Sequence, residues 1–291
     1  MALLRSIGTT LEMIKWEHSI FALPFALTAA VLAARGWPRP LQLLWIVICM
    51  VAARSAAMAF NRWADASLDA ANPRTASRAI PAGALTRRFV GGFTLVAAAC
   101  FVLAASRLNL LTLALSPVAL VLVLAYSYTK RFTRWSHLFL GLALGAAPAA
   151  AWIAVRGSLD PRILVLTGAV LFWVAGFDVF YACQDAEHDR ACGLHSLPAA
   201  VGVKHALLLA RLMHLAMLAL LVALVPLFHL GAVAVVGMLL VATLLAYEHS
   251  LVSPGDLSRV NAAFFTLNGV VAIVFFVAIA SDVLLRTAHL R

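Results

Sequence analysis

The chain has 291 residues, of which 64% are hydrophobic and 12% are charged, and its formal net charge is +10. A soluble domain carries about twice that share of charge, so the composition excludes an ordinary soluble protein. It predicts a polytopic membrane protein with one transmembrane domain, residues 1–291. The positive charge predicts no nucleic-acid partner, because loop lysine and arginine in such a protein set its topology and contact anionic lipids of the bilayer.

Apolar runs of about 20 residues predict membrane-spanning helices. Nine such runs follow one another along the chain, at 18–35, 41–63, 89–106, 109–127, 136–155, 162–184, 204–225, 228–249 and 261–284. If the N-terminus is inside, most of the 22 lysine and arginine residues lie on the cytoplasmic side, as the positive-inside rule favours. We therefore predict an all-α integral protein of a bacterial-type cytoplasmic (inner) membrane.

The acidic residues are few and clustered. Of twelve in the chain, four form two D-x-x-x-D pairs, Asp65 with Asp69 and Asp185 with Asp189. The pairs end the second and sixth predicted helices, both on the cytoplasmic side. A carboxylate near hydrocarbon costs roughly 2.5–3.5 kcal/mol, so these four side chains are expected to bind a cation.

Helical spacing extends both pairs. Residues four apart lie on one helix face, so Asn61 joins the first pair if the second helix continues through it. In the sixth helix, Asp178 and Tyr181 line up with the second pair. If the two faces meet across a cavity, they present only oxygen ligands, which suit Mg²⁺ bridging carboxylates to substrate phosphates.

Basic residues accompany the acids. Arg74 and Arg78 follow the first pair, and Lys130 and Arg131 end the fourth helix on the same side. Arginine binds phosphate through two hydrogen bonds and lysine as a point charge. Acids facing bases favour a metal–diphosphate site, and a lipid diphosphate would place its tail among the apolar helices. Aromatic side chains such as Tyr126 and Tyr181 could stabilise an allylic cation.

Similar short sequences follow the two acid pairs, which suggests an internal repeat. The first acid pair is followed by R-A-I-P-A at 78–82, and the second by S-L-P-A at 196–199. The motifs lie four predicted helices apart. This offset predicts two four-helix repeats plus one further helix, with the site between the repeats.

Several stretches together resemble one known family. They are N-x-x-x-D-x-x-x-D at 61–69, N-P-R-T-x-x-R at 72–78, D-V-F-Y-A-C-Q-D-A-E-H-D at 178–189, K-W-E-H-S-I-F-A-L-P at 15–24 and Y-S-Y-T-K-R-F at 126–132. The combination resembles the UbiA superfamily of intramembrane aromatic prenyltransferases, in particular its 4-hydroxybenzoate polyprenyltransferase branch. In many members an Asp follows the motif's Asn, where this chain has Arg62.

The resemblance implies nine helices around a central cavity and Mg²⁺-dependent transfer of a polyprenyl group from an allylic diphosphate to an aromatic acid. Hydroxybenzoate is the favoured acceptor, with a naphthoate or another menaquinone-pathway acceptor as the alternative. Carried over by position, the metal–diphosphate residues are Asn61, Asp65, Asp69, Asp185 and Asp189. Diphosphate partners expected on the same basis are Arg74, Arg78, Lys130 and Arg131.

The sequence allows two interpretations for several other polar residues. Asp178 is either a substrate contact or a buried acid bonded to a neighbouring helix. Arg54, an intramembrane charge, belongs to a site or to a structural pair. Lys15 either contacts the acceptor carboxylate or extends to lipid head groups. His137 shows no metal spacing and is interpreted as interfacial or packed.

Two rival functions use the same residues. In a cation-coupled transporter the acids would bind ions, but such sites usually lie near the bilayer midplane, and these acids cluster at one side. A CDP-alcohol phosphotransferase carries its acids on one continuous stretch that begins D-G-x-x-A-R. This chain has no such stretch and divides its acids between distant helices.

Overall fold

A computed structural model of the chain describes residues 2–14, 19–261 and 266–289. Its described part is helical and contains no β-strand, only an isolated bridge between Ser253 and Asp256. The helices in chain order are α1 Ala2–Ile14, α2 Ser19–Ala34, α3 Pro40–Ala64, α4 Ala66–Ala71, α5 Arg87–Ser106, α6 Leu110–Thr129, α7 Ser136–Arg156, α8 Ile163–Ala182, α9 Ala186–Ala191, α10 Leu197–Val201, α11 Val203–Phe228, α12 Ala232–Leu251 and α13 Asn268–His289.

Nine apolar helices among the described residues overlap the nine predicted spans. Within the described ranges, eight helices are long and apolar enough to cross a membrane, namely α3, α5 to α8 and α11 to α13, and α2 is a shorter apolar helix. The all-α membrane architecture is therefore confirmed. Helix α1 precedes the first predicted span, and the repeat relationship between the two helix sets stays a prediction.

The main core lies on one side of the molecule. It joins α2, α7, α8, α11, α12 and α13 around Phe25, whose ring centroid lies 4.9 Å from that of Trp173 and 5.2 Å from that of Phe275. Large aromatic side chains bury much apolar area and fix their neighbours by ring geometry. Helices α3, α5 and α6 form the other side, where only 11% of the α6 span is buried within the protein.

Helices α7 and α8 approach closely because α7 carries two glycines on the contact face. A Cβ atom at Gly141 would lie 2.4 Å from the carbonyl oxygen of Leu171, and one at Gly145 would lie 2.9 Å from that of Thr167. Small residues let helix backbones meet in this way in membrane proteins. The contact fixes α7 against the helix that leads into the second acid motif.

Candidate active site

A cavity of about 1010 Å³ opens between α3, α6, α7 and α8, with α1 at its polar end. Its inner stretch is apolar, with Leu115, Leu122, Leu144 and Ile153 in the wall. The predicted site residues that line this cavity are Arg54, Asn61, Asp65, Asp69, Arg74, Arg78, Tyr126, Lys130, Asp178, Tyr181, Asp185 and Asp189. Lys15 lies outside the described residues, and Arg131 reaches the site from just beyond the wall.

The first acid motif sits on a helix break. Helix α3 ends at Ala64, and α4 begins at Ala66. The four-residue hydrogen-bond spacing nevertheless continues, with Asp65 N–H donating to Asn61 O at 2.9 Å and Asp69 N–H donating to Asp65 O at 2.7 Å. The three side chains therefore still line one cavity although the helix is interrupted.

Asp65 is buried and surrounded by donors. Lys130 Nζ lies 3.3 Å from its Oδ2, and Arg131 Nη2 lies 3.1 Å from its Oδ1. The Asn61 amide nitrogen donates to Asp65 Oδ2 at 3.1 Å. The end of α6 thus supplies the cations that the sequence predicted would lie near the first motif.

Asp69 is also buried, and its two carboxylate oxygens have different surroundings. Arg78 Nη1 lies 2.5 Å from Asp69 Oδ1. Asp69 Oδ2 is buried and has no hydrogen-bond partner among the residues that the structure describes. A buried carboxylate oxygen without a partner is costly unless a ligand satisfies it.

The second motif receives its cation from the loop after the first. Arg74 donates through Nε to Asp185 Oδ1 at 2.8 Å, and through Nη2 to Asp185 Oδ2. Its Nη1 also donates to Tyr181 Oη at 2.8 Å, and the Asn72 amide donates to Asp185 Oδ1 at 3.3 Å. Burial opposes the charge on Arg74, but its hydrogen bonds to Asp185 and Tyr181 raise the pKa of the guanidinium above its usual value. The loop that follows the first motif thus contacts the second motif through one arginine.

Helix α8 also ends just before its acid motif. It ends at Ala182, a 3-10 turn spans Cys183–Asp185, and α9 then carries Asp189. The Ser196 side chain lies near Asp189, where it favours the charged form of that carboxylate. Both motifs therefore lie where a membrane helix gives way to a short helix, which turns their carboxylates toward the same end of the cavity.

Polar groups also lie deeper in the cavity. Arg54 lines the wall, and its buried Nε has no hydrogen-bond partner within the described ranges. Asp178 accepts from His137 Nδ1 at 2.7 Å, so it is both bonded to a neighbouring helix and exposed to the cavity. Tyr126 lies within electrostatic range of Arg54 and Asp178.

Comparison with known proteins fits this geometry. The model of the UbiA prenyltransferase family matches residues 22–270. The chain belongs to this family. A 4-hydroxybenzoate octaprenyltransferase of Nitrosospira multiformis is 34% identical over 261 residues, which cover 88% of each chain.

Solved structures of UbiA homologues share the fold. An apo UbiA homologue from Aeropyrum pernix K1 matches with a TM-score of 0.84 and 36% identity, over 92% of this chain and 98% of that one. A UbiA homologue from Archaeoglobus fulgidus bound to DMAPP and Mg²⁺ matches with a TM-score of 0.72 and 15% identity, over 94% of this chain and 99% of that one. The protein is thus an integral membrane enzyme, a UbiA prenyltransferase, which favours the enzyme over the transporter and the CDP-alcohol phosphotransferase.

The acids of this prenyltransferase fit a divalent cation that is shared with a ligand. Among the described residues, no three His, Cys, Asp or Glu side chains converge closely enough to hold an ion by themselves. Mg²⁺ commonly binds one or two carboxylates and takes its other ligands from water and substrate phosphates. The oxygen-only donors and the unpartnered Asp69 Oδ2 suit that mode.

Sequence reasoning missed three polar groups of the site. His137 was interpreted as interfacial or packed; it is buried, but it also lines the cavity and contacts Asp178. No spacing signal in the sequence links it to α8. Asn72 and Arg62 stand within motifs that the sequence did single out, but no role at the site was assigned to them; both line the cavity.

Proposed function

We propose that this UbiA prenyltransferase transfers a polyprenyl group from an allylic diphosphate to 4-hydroxybenzoate in quinone biosynthesis, with Mg²⁺. The observation that carries the proposal is that both acid motifs line one cavity, with Arg74 from the loop after the first motif paired to Asp185 of the second. The name of the Nitrosospira multiformis relative and the DMAPP and Mg²⁺ in the Archaeoglobus fulgidus homologue support the two substrates and the ion.

The motifs and their bases would hold the diphosphate. Asn61, Asp65, Asp69, Asp185 and Asp189 would bind Mg²⁺, which supplies positive charge that stabilises the departing diphosphate. The paired cations already lie within reach of the same space: Arg74, Arg78, Lys130 and Arg131. When a diphosphate binds with its metal, these side chains can exchange carboxylate partners for phosphate oxygens.

The rest of the cavity would hold the apolar tail and the acceptor. Its inner wall is lined by leucine, alanine and isoleucine, which excludes water from an allylic cation. Tyr126 and Tyr181 line the wall between the apolar part and the acids, where a ring face can stabilise such a cation. The unpartnered Nε of Arg54 suits the acceptor's carboxylate.

The polar end of the cavity would face the cytoplasm. The loops that carry the motifs and the end of α6 hold a large share of the basic residues, which the positive-inside rule assigns to the cytoplasmic side of an inner membrane. Soluble 4-hydroxybenzoate would then enter from the cytoplasm while the prenyl chain enters from lipid.

The purified protein in detergent or lipid, incubated with Mg²⁺ and a prenyl diphosphate, tests the proposal. The acceptor panel should contain 4-hydroxybenzoate, benzoate and a hydroxynaphthoate, with products read by mass spectrometry. We expect a prenylated 4-hydroxybenzoate that disappears with EDTA and returns when Mg²⁺ is restored. Product from the naphthoate alone, or EDTA-resistant transfer, would contradict the acceptor or the metal, respectively.

A further inference from the structure

The His137–Asp178 pair connects α7 and α8 in the cavity wall. His137 is 3% exposed, and its Nδ1 lies 2.7 Å from Asp178 Oδ2. On the other side of the ring, the backbone N–H of Leu197 donates to His137 Nε2 at 3.3 Å. A backbone N–H can only donate, so Nε2 presents its lone pair and the ring proton resides on Nδ1. The Nδ1–H of His137 therefore donates to one oxygen of Asp178 and fixes the position of that carboxylate.

The other oxygen of Asp178 is left for a ligand. His137 is the hydrogen-bond partner of this carboxylate, and no second one exists within residues 2–14, 19–261 and 266–289. The Asp178 side chain is 24% exposed, and this exposure is to the cavity. A purely structural pair would satisfy both oxygens or bury them.

Asp178 lies deeper in the cavity than the second acid pair. At 1.5 Å of rise per residue, the seven residues from Asp178 to Asp185 place it about 10 Å further along the helix, toward the apolar part of the cavity. The diphosphate occupies the space beside Asp185 in the proposed function. An acceptor ring that attacks the allylic carbon from the apolar side would therefore extend toward Asp178.

Charge at this depth matches a hydroxybenzoate. Arg54, Tyr126 and Asp178 all line this cavity, so that a guanidinium and a carboxylate share its wall. A guanidinium favours the acceptor's carboxylate, whereas a carboxylate repels it and favours a hydroxyl donor. The two charges together would orient the acceptor with its hydroxyl toward Asp178.

We propose that Asp178 is a catalytic residue that accepts the proton of the acceptor's ring hydroxyl, and that His137 is its positioning residue. This inference rests on the proposed function. The ring carbon beside the hydroxyl bonds the allylic carbon, and the allylic C–O bond breaks with its electron pair leaving on diphosphate. The hydroxyl proton passes to Asp178 Oδ1, which leaves a neutral dienone. Loss of the ring C–H proton restores the aromatic ring, and Asp178 returns its proton to the oxygen, so that one proton is released in total.

Asp178→Asn tests the catalytic role. We expect kcat with 4-hydroxybenzoate to fall about 10²-fold, the size of a general-base contribution, with KM for the prenyl diphosphate unchanged. With 3-fluoro-4-hydroxybenzoate the loss should be smaller, because a more acidic hydroxyl needs less help. Wild-type kcat, or an equal loss with both acceptors, would overturn the role.

Two substitutions of His137 test the positioning role and serve if Asp178→Asn does not fold. His137→Asn keeps an N–H donor near the position of Nδ1, and His137→Leu removes it. We expect His137→Asn to retain much more kcat than His137→Leu, and His137→Leu to cost nothing further in the Asp178→Asn background. Equal losses from both substitutions, with unchanged thermal unfolding, would overturn the positioning role.

The same assays separate this inference from the function on which it rests. If the wild-type protein prenylates no aromatic acid, the proposed function fails. If the wild type prenylates 4-hydroxybenzoate and Asp178→Asn does so at the same rate, only the role of Asp178 fails.

Discussion

The two acid motifs occupy matching places at the ends of α3 and α8, but the chain surrounds them with unequal positive charge. Asp65 and Asp69 are both buried, at 2% and 5% exposure. Cationic side chains from the following loop and from the end of α6 contact them, namely Arg78, Lys130 and Arg131. The first motif is therefore largely neutralised by neighbours of its own half of the molecule.

The second motif takes its paired cation from the loop that follows the first motif. Asp185 is paired with Arg74, which belongs to the loop after the first motif, and the neighbour that favours the charge of Asp189 is Ser196. The comparison teaches that the motifs are similar in sequence but not interchangeable. One half of the molecule supplies the cations of both, and the second half supplies acids with fewer partners.

The largest expected effect comes from removing one acid of each motif. Asp65→Ala and Asp185→Ala should each reduce prenyl transfer by about 10³-fold or more, because each removes a group that acts on the leaving diphosphate. Transfer is measured by mass spectrometry, and thermal unfolding serves as the control for folding. Wild-type rates from both variants would contradict the proposal that the motifs act together.

A smaller but more specific effect is expected at the arginine that pairs with the second motif. Arg74→Ala should lower kcat/KM for the prenyl diphosphate about 10²-fold, and Arg74→Lys should recover only part of it because lysine cannot form two parallel hydrogen bonds. The matched control is Arg162→Lys, since Arg162 forms a similar pair with Asp160 in a loop away from the cavity. Full recovery by lysine would show that charge alone suffices.

The smallest effect should come from the group that holds Asp189. Ser196→Ala removes the nearby hydroxyl that favours its charge, and loss of such a supporting group costs about tenfold in metal affinity or activity at the lower end of its usual range. We expect the Mg²⁺ concentration for half-maximal transfer to rise by about that factor while the saturated rate changes little. An unchanged Mg²⁺ requirement would mean that Asp189 needs no support from Ser196.

Hydropathy and spacing were enough to predict the spans and the gathering of the acids. Helix α8, at Ile163–Ala182, lies within a few residues of the predicted span 162–184, because length and apolarity constrain a membrane helix strongly. The acids converged because four-residue spacing survives the helix break at Asp65. Both results follow from local geometry.

Contacts between distant segments could not be predicted in the same way. Proximity in sequence suggested that Arg74 would serve the metal–diphosphate site as a whole, and nothing indicated that it pairs with Asp185. The contact between His137 and Asp178 depends on how closely α7 and α8 pack, which no pattern in either helix reports. The break at Asp65 depends on how the chain leaves the membrane, and helical spacing alone does not reveal it.

The glycine contact between α7 and α8 gives the cavity one stiff side and one compliant side. Gly141 and Gly145 leave no room for a side chain. The contact between α7 and α8, here called the glycine seam, therefore cannot widen without separating the two helix backbones. Across the cavity, α6 contains Pro117, which removes one backbone hydrogen bond from the helix, and it has little protein behind it. Homologues that accommodate longer or shorter isoprenoids should therefore differ in the residues of α6, while the glycine seam stays the same.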